Sequence, residues 1–232
     1  MENKIIINNP NILNYVMFKL DKITNEFTKD ELAYIKEIVI EYNQEFTSNS
    51  SFYEELLKFS TLSSLTIRNG YIFNIDYNYL LKLHNLIEIV FDNCEFENAD
   101  LITSLDLKSL SLINCKINNY SFIITFNNLK SLTIINGKVT IDKINNINNL
   151  TYLQLSHSNI LDKTNTINIA SLTELHIDNT NINNLDFINN LPNLKKMSID
   201  KFQYINNKDI IDNITNKKIT ILSTTGVDKY EV

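Results

Sequence analysis

Apolar residues recur along this chain in two alternating rhythms. Short segments alternate apolar and polar residues, the mark of a half-buried strand, and each is followed by a stretch with apolar residues two, three or four apart. The alternating segments align on the frame LxxLxLxxNxI, with any aliphatic residue at L and Asn, Cys, Thr, Ser or Gly at N. LSSLTIRNGYI begins at Leu62, LIEIVFDNCEF at Leu86, LKSLSLINCKI at Leu107, LKSLTIINGKV at Leu129, LTYLQLSHSNI at Leu150 and LTELHIDNTNI at Leu172. IKEIVIEYNQE from Ile35 fits as a first copy, and LKKMSIDKFQY from Leu194 and NKKITILSTTG from Asn216 as degraded last ones. Successive copies start 27, 24, 21, 22, 21, 22, 22 and 22 residues apart, too regular for chance alternation.

A unit of this length cannot bury its apolar face alone, so the copies are expected to stack. Within each strand alternate side chains point to opposite faces, which sends two aliphatic columns into the core. One column reads Ile38, Leu65, Ile89, Leu110, Leu132, Leu153, Leu175, Met197 and Ile219; the other reads Ile40, Ile67, Phe91, Leu112, Ile134, Leu155, Ile177, Ile199 and Ile221. The ninth position, where the chain turns out of the strand, holds Asn43, Gly70, Cys94, Cys115, Gly137, Ser158, Thr180, Phe202 and Thr224. A small polar side chain there suits a buried turn, because it bonds to turn backbone groups. The return segments, such as Ile117 to Leu129 and Ile182 to Leu194, are too short for long helices and predict turns, 3₁₀ segments and single helical turns. Asn-Asn pairs mark the connections.

Open ends of a stacked array expose core and need caps. Residues 10–34 predict a helical cap, with Ile12, Val16, Leu20 and Ile23 at helical spacing and a capping box from Thr28 to Glu31. A second capping box, Ser51 to Glu54, predicts a helix that lengthens the first interval. At the other end Phe202 and Tyr204 replace small turn residues, and the expectation is that these aromatics close the lower core.

The frame and its period match the leucine-rich repeat pattern. The 22-residue units, with NxIxxLxxIxxLxxL after the strand, resemble the internalin-type bacterial repeats, and FTKDELAYIKEIVIEYN (Phe27 to Asn43) resembles the threonine-aspartate-leucine cap motif that leads into them. The resemblance implies an α/β leucine-rich repeat solenoid, with a curved parallel sheet on its concave face and turns and 3₁₀ segments on its convex face. The corresponding division is a helical cap over 1–34, an array of eight to nine units over 35–226 and a tail over 227–232. The implied activity is protein binding through the concave sheet.

Composition sharpens this picture. The chain holds 38 Asn, 36 Ile and 28 Leu against 3 Gly, 2 Pro and a single Arg, Arg68. Asn disfavours helix and strand interiors, so it must be housed in turns. A net charge of -6 and a pI near 5.1 argue against nucleic-acid binding, which rests on clustered cations. The apolar runs are too short for a membrane span or a signal peptide, and two cysteines are too few for a disulfide scaffold. A cytoplasmic, monomeric protein is expected, with delivery into a host cell still compatible.

Residues flanking the core columns face outward. The third positions read Glu37, Ser64, Glu88, Ser109, Ser131, Tyr152, Glu174, Lys196 and Lys218; the seventh include Ile113, Ile135, Ser156 and Asp178. Ile113 and Ile135 are apolar where solvent is expected, and with Tyr152, Gln154, His157, Glu174, His176 and Asp178 they form the candidate partner-binding patch. His157 and His176 are offset along neighbouring strands by about 10 Å, too far for easy joint ligation of a metal. Cys94 and Cys115 should be stacked neighbours about 5 Å apart at the backbone, a spacing that permits a disulfide, and the better reading is core thiols. No catalytic motif, phosphate loop, cofactor fingerprint or zinc spacing is present. The expected function is a non-enzymatic protein-protein interaction module; the other reading is an effector or regulatory subunit that positions a separate enzyme or host target.

Overall fold

The computed structural model describes residues 4–42, 50–72, 74–118, 120–162, 166–214, 219–223 and 229–230. They fall into two compact units, Met1–Leu107 with Cys115–Ile117, and Lys108–Asn114 with Asn118–Val232.

The first unit opens with the helical cap. Helix α1 (Pro10–Leu20) starts at Asn9, whose side chain accepts from the amides of Asn11 and Ile12, and ends at Asp21 in the left-handed conformation. Ile12 and Val16 are buried as their spacing predicts, but Ile23 is 97% exposed because the helix has already ended. Helix α2 (Lys29–Ala33) carries the predicted capping box: Glu31 N donates to Thr28 Oγ1 and Thr28 N to the Glu31 carboxylate. Three parallel strands follow in register, β1 (Glu37–Glu41), β2 (Ser64–Arg68) and β3 (Glu88–Asp92). Between β1 and β2 lies α3 (Ser50–Leu56), which begins one residue before the serine expected to cap it; its N-terminal flank, with Asn43, lies outside the described residues. Glu55 of α3 is buried and accepts from the amides of Asn8 and Asn9, which ties the cap to the first return segment. Helix α4 (Asn74–Leu80) and a 3₁₀ segment (Ala99–Ser104) complete this unit's return path.

The second unit is built in the same way. Strands β4 (Ser109–Ile113), β5 (Ser131–Ile135), β6 (Tyr152–Gln154), β7 (Glu174–His176), β8 (Lys196–Ile199) and β9 (Thr220–Ser223) pair in parallel, each with the next. Lys229–Tyr230 adds an antiparallel edge to β9. The return segments are 3₁₀ turns (Ser121–Thr125, Asp186–Asn190) and the short helix α5 (Ile141–Ile144), as the spacing predicts. Every residue of the two core columns is buried. This is the α/β leucine-rich repeat architecture. Among the described residues no helix is long and apolar enough to cross a membrane.

The last repeat departs from the sequence frame. Met197 pairs with Ile221 rather than Ile219, so the final strand is slipped by two residues. Two helices, α6 (Lys201–Asn206) and α7 (Lys208–Ile214), occupy its return segment and lengthen the loop. A slip of two preserves the inward face, which is why Ile219 and Ile221 are both buried.

The aromatics expected to close this end do not. Phe202 is 65% exposed and Tyr204 half-buried. Gln203 and Asn207 are buried instead. Gln203 Nε2 donates to the carbonyls of Ile177 (3.0 Å) and Ile182 (2.9 Å), while its Oε1 accepts from Asp200 N in a second capping box. Asn207 Oδ1 accepts from Leu185 N, and its Nδ2 donates to the Asn183 carbonyl. Aligned carbonyls at the end of a coil demand hydrogen-bond donors, which a phenyl ring lacks.

The turn after each strand explains much of the Asn. Asn69, Asn93, Asn114, Asn136, His157 and Asn179, all at the eighth repeat position, have φ between 53° and 60°. Asn tolerates this left-handed conformation better than other non-glycine residues. Its side chain also links coils: Asn93 Nδ2 donates to Asn69 Oδ1 at 2.7 Å, and Asn136 Nδ2 to Asn114 Oδ1. A second set precedes the first leucine of three repeats: Asn85, Asn149 and Asn193 donate to the carbonyls of Ser60, Asn127 and Ala170, about one repeat earlier.

Two outcomes follow. Gln203→Leu leaves buried carbonyls without a donor and is expected to cost about 1–3 kcal/mol in urea unfolding, whereas Phe202→Ala stays within about 0.5 kcal/mol. Asn136→Val forces a β-branched residue to positive φ and should lower stability by about 1–2 kcal/mol more than Asn136→Gly, read from thermal midpoints of the paired variants.

Candidate partner-binding surface

The face of the second unit's sheet that points away from the core is built by strand alternation. Ile113 and Ile135 sit laterally opposite each other at the ends of β4 and β5 and are half-buried, neither sealed into the core nor fully solvated. Tyr152 on β6 is opposite Glu174 on β7, and Gln154 opposite His176. The Tyr152 and His176 rings lie 5.4 Å apart with a tilt of 40°.

A chain of hydrogen bonds fixes these side chains. Tyr152 Oη donates to Gln154 Oε1 at 2.9 Å, and Gln154 Nε2 reaches Ser156 Oγ at 3.4 Å. Ser156 Oγ donates to Asp178 Oδ1 at 2.9 Å, and Ser198 Oγ donates to the same oxygen at 3.1 Å. Asp178 is only 6% exposed. It therefore supports the face from beneath rather than presenting its carboxylate to solvent. Beside this chain, Glu174 Oε1 meets His176 Nε2 at 2.7 Å and Lys196 Nζ at 2.6 Å.

His157 stands apart from the sheet face. Its φ of 60° puts it in the left-handed turn at the position Asn holds in neighbouring coils, and its side chain is exposed. Its amide donates to the Asp178 carbonyl, while the Asp178 carboxylate is engaged by the two serines. The structure thus joins Tyr152, Gln154, Glu174, His176 and Asp178 in two adjoining networks. Ser156, Ser198 and Lys196 belong to the same networks and are absent from the sequence-derived patch. A signal for them was available: Ser156 and Asp178 are both seventh-position residues of consecutive repeats, and Lys196 follows Glu174 in the third-position column. Among the described residues, no group of three or more His, Cys, Asp or Glu side chains is placed to hold a metal ion.

Electrostatics agree with this wiring. Burial pushes the Tyr152 hydroxyl above its ordinary range, and the charge of Glu174 adds to the effect. For Glu174 burial acts upward, but the hydrogen bonds from Lys196 and His176 outweigh it and hold the carboxyl below 4.5. A carboxyl depressed in the folded state adds stability above its unfolded value, and that contribution is lost as pH falls through the folded value. Glu174→Gln should therefore lose part of the wild type's acid-side destabilisation below about pH 4.5 and leave the neutral-to-alkaline limb unchanged in shape, as read by unfolding midpoints against pH.

No family model matches the sequence, and no curated protein does. Among solved structures the chain is similar to an internalin C2 from Listeria monocytogenes, 21% identical over 93% of each chain with a TM-score of 0.66. It is also similar to the leucine-rich repeat protein LIC12759 of Leptospira interrogans, at 16% identity and a TM-score of 0.60, over 88% of this chain and 59% of that one. InlP of Listeria monocytogenes matches at 16% identity and a TM-score of 0.51, over 83% of this chain and 64% of that one. At such identities the likeness establishes a shared fold, the internalin-like leucine-rich repeat.

Proposed function

On that leucine-rich repeat fold, we propose that the chain is a non-enzymatic binding module that recognises another protein through the open face of its parallel sheet. One observation carries the reading. Half-buried Ile113 and Ile135 lie on the same sheet face as the hydrogen-bonded side chains of Tyr152, Gln154, Glu174 and His176. An apolar contact area beside polar groups already locked in position is what a specific interface needs, because little side-chain freedom is left to lose on binding. The strand backbone is consumed by the parallel ladder, so recognition falls to these side chains. The similarity to other leucine-rich repeat proteins supports the reading at the level of fold.

The test uses Ile135→Glu and Tyr152→Ala as immobilised baits in native lysate, with Lys143→Ala on the return segment as the control. Both face variants are expected to reduce recovery of the captured partner by about tenfold or more, equivalent to about 1.4 kcal/mol, while circular dichroism stays unchanged. Equal recovery by wild type and both folded variants would overturn the assignment of this face.

A further inference from the structure

In the first unit, Cys94 and Cys115 occupy the ninth position of consecutive repeats, and no disulfide joins them. The residues that follow, Glu95 and Lys116, form a parallel bridge, and Lys116 N donates to the Cys94 carbonyl at 2.9 Å. The two cysteines are therefore lateral neighbours. Such neighbours lie about 4.8 Å apart at the backbone, inside the range of about 4.4–6.8 Å that a disulfide spans. Both side chains point the same way: Cys94 Sγ lies 3.4 Å from the Ile67 carbonyl, and Cys115 Sγ lies 3.3 Å from that of Phe91.

The fold does not require sulfur at this position. Ser158 holds it in the second unit, where its hydroxyl donates to the Ile134 carbonyl at 3.0 Å, and Gly70 and Gly137 fill it with no side chain at all. Two adjacent thiols thus offer chemistry beyond what the turn needs. They are also unequal. The contact between the two thiols holds Cys94 below its ordinary value and, reinforced by burial, pushes Cys115 up. Cys115 is 8% exposed and Cys94 1%, so the two sulfurs lie side by side at the edge of the core.

We propose that Cys94 and Cys115 form a reversible dithiol–disulfide site oxidised by hydroperoxides. The thiolate of one of the two attacks one peroxide oxygen. The O–O bond breaks, hydroxide leaves and takes up a proton as water, and that cysteine becomes a sulfenic acid. The other cysteine, losing its proton, attacks that sulfur; the S–S bond forms and the S–O bond breaks, releasing a second water. Two cysteines lose two electrons and two protons, and one hydrogen peroxide becomes two waters. The disulfide replaces both thiol hydrogen bonds to the Ile67 and Phe91 carbonyls, and exchange with a dithiol reductant restores them.

The test exposes the folded chain to hydrogen peroxide, blocks remaining thiols with iodoacetamide in denaturant and maps peptides without reduction. Wild type is expected to lose both reactive thiols, yield the cross-linked Cys94–Cys115 peptide as the major product and recover both thiols with dithiothreitol. Cys115→Ser, patterned on Ser158 at the same repeat position, should instead accumulate a sulfenic acid at Cys94 that dimedone traps. Two unmodified thiols at peroxide levels that oxidise the methionines would overturn the proposal, as would sulfinic acid without the cross-linked peptide.

Discussion

In six successive coils one residue leaves its strand with positive φ, and the return segment of each of those coils starts from it. The strands are three to five residues long and pair only with their neighbours, so each coil has to turn sharply before the return segment begins. Glycine makes that turn without strain but leaves the unfolded chain more freedom to lose. Asn makes it at modest cost and brings an amide that bonds to the next coil, as Asn93 does to Asn69. With only three glycines, the chain builds six such turns among the described residues, five with Asn and one with His157.

The second constraint is the set of backbone carbonyls that the coil aims inward. The sixth-position carbonyl of one repeat takes a hydrogen bond from the ninth-position side chain of the next: Cys94 to Ile67, Cys115 to Phe91 and Ser158 to Ile134. At the end of the array the same task falls to Gln203, one residue later, through its bond to Ile177. Asn85, Asn149 and Asn193, each before a first leucine, repeat this logic on the return side. Apolar columns supply the main burial energy, while these donors set the spacing at which coils can stack without orphaned polar groups.

Once inward demands are met, the other face of the sheet is free to vary. There the second unit combines two half-buried isoleucines with a polar network that roots in a buried aspartate. Asp178 accepts two serine hydroxyls, and the chain running back through Ser156 to Gln154 and Tyr152 holds the exposed tips still. Binding specificity in such a face comes from side chains, since the backbone ladder is the same in every repeat.

Repeat period, core columns, the Thr28 capping box and the 3₁₀ return segments were all legible in the sequence, because each follows from local spacing and from the period-two alternation of strands. So was the company kept by Tyr152, Gln154, Glu174 and His176, which share columns in neighbouring coils. Other features needed the fold. Ile23 keeps helical spacing but lies past a left-handed stop at Asp21, and Met197 pairs with Ile221 because two helices lengthen the last loop. Phe202 is as apolar as a plug should be, yet Gln203 takes the buried place, since what that end lacked was a donor and not volume. The burial of Asp178 likewise depends on Ser156 and Ser198 arriving from neighbouring coils. Periodicity determines which face a residue occupies; the tertiary structure decides which polar groups meet there, because hydrogen bonds join residues about one repeat apart that no local pattern connects.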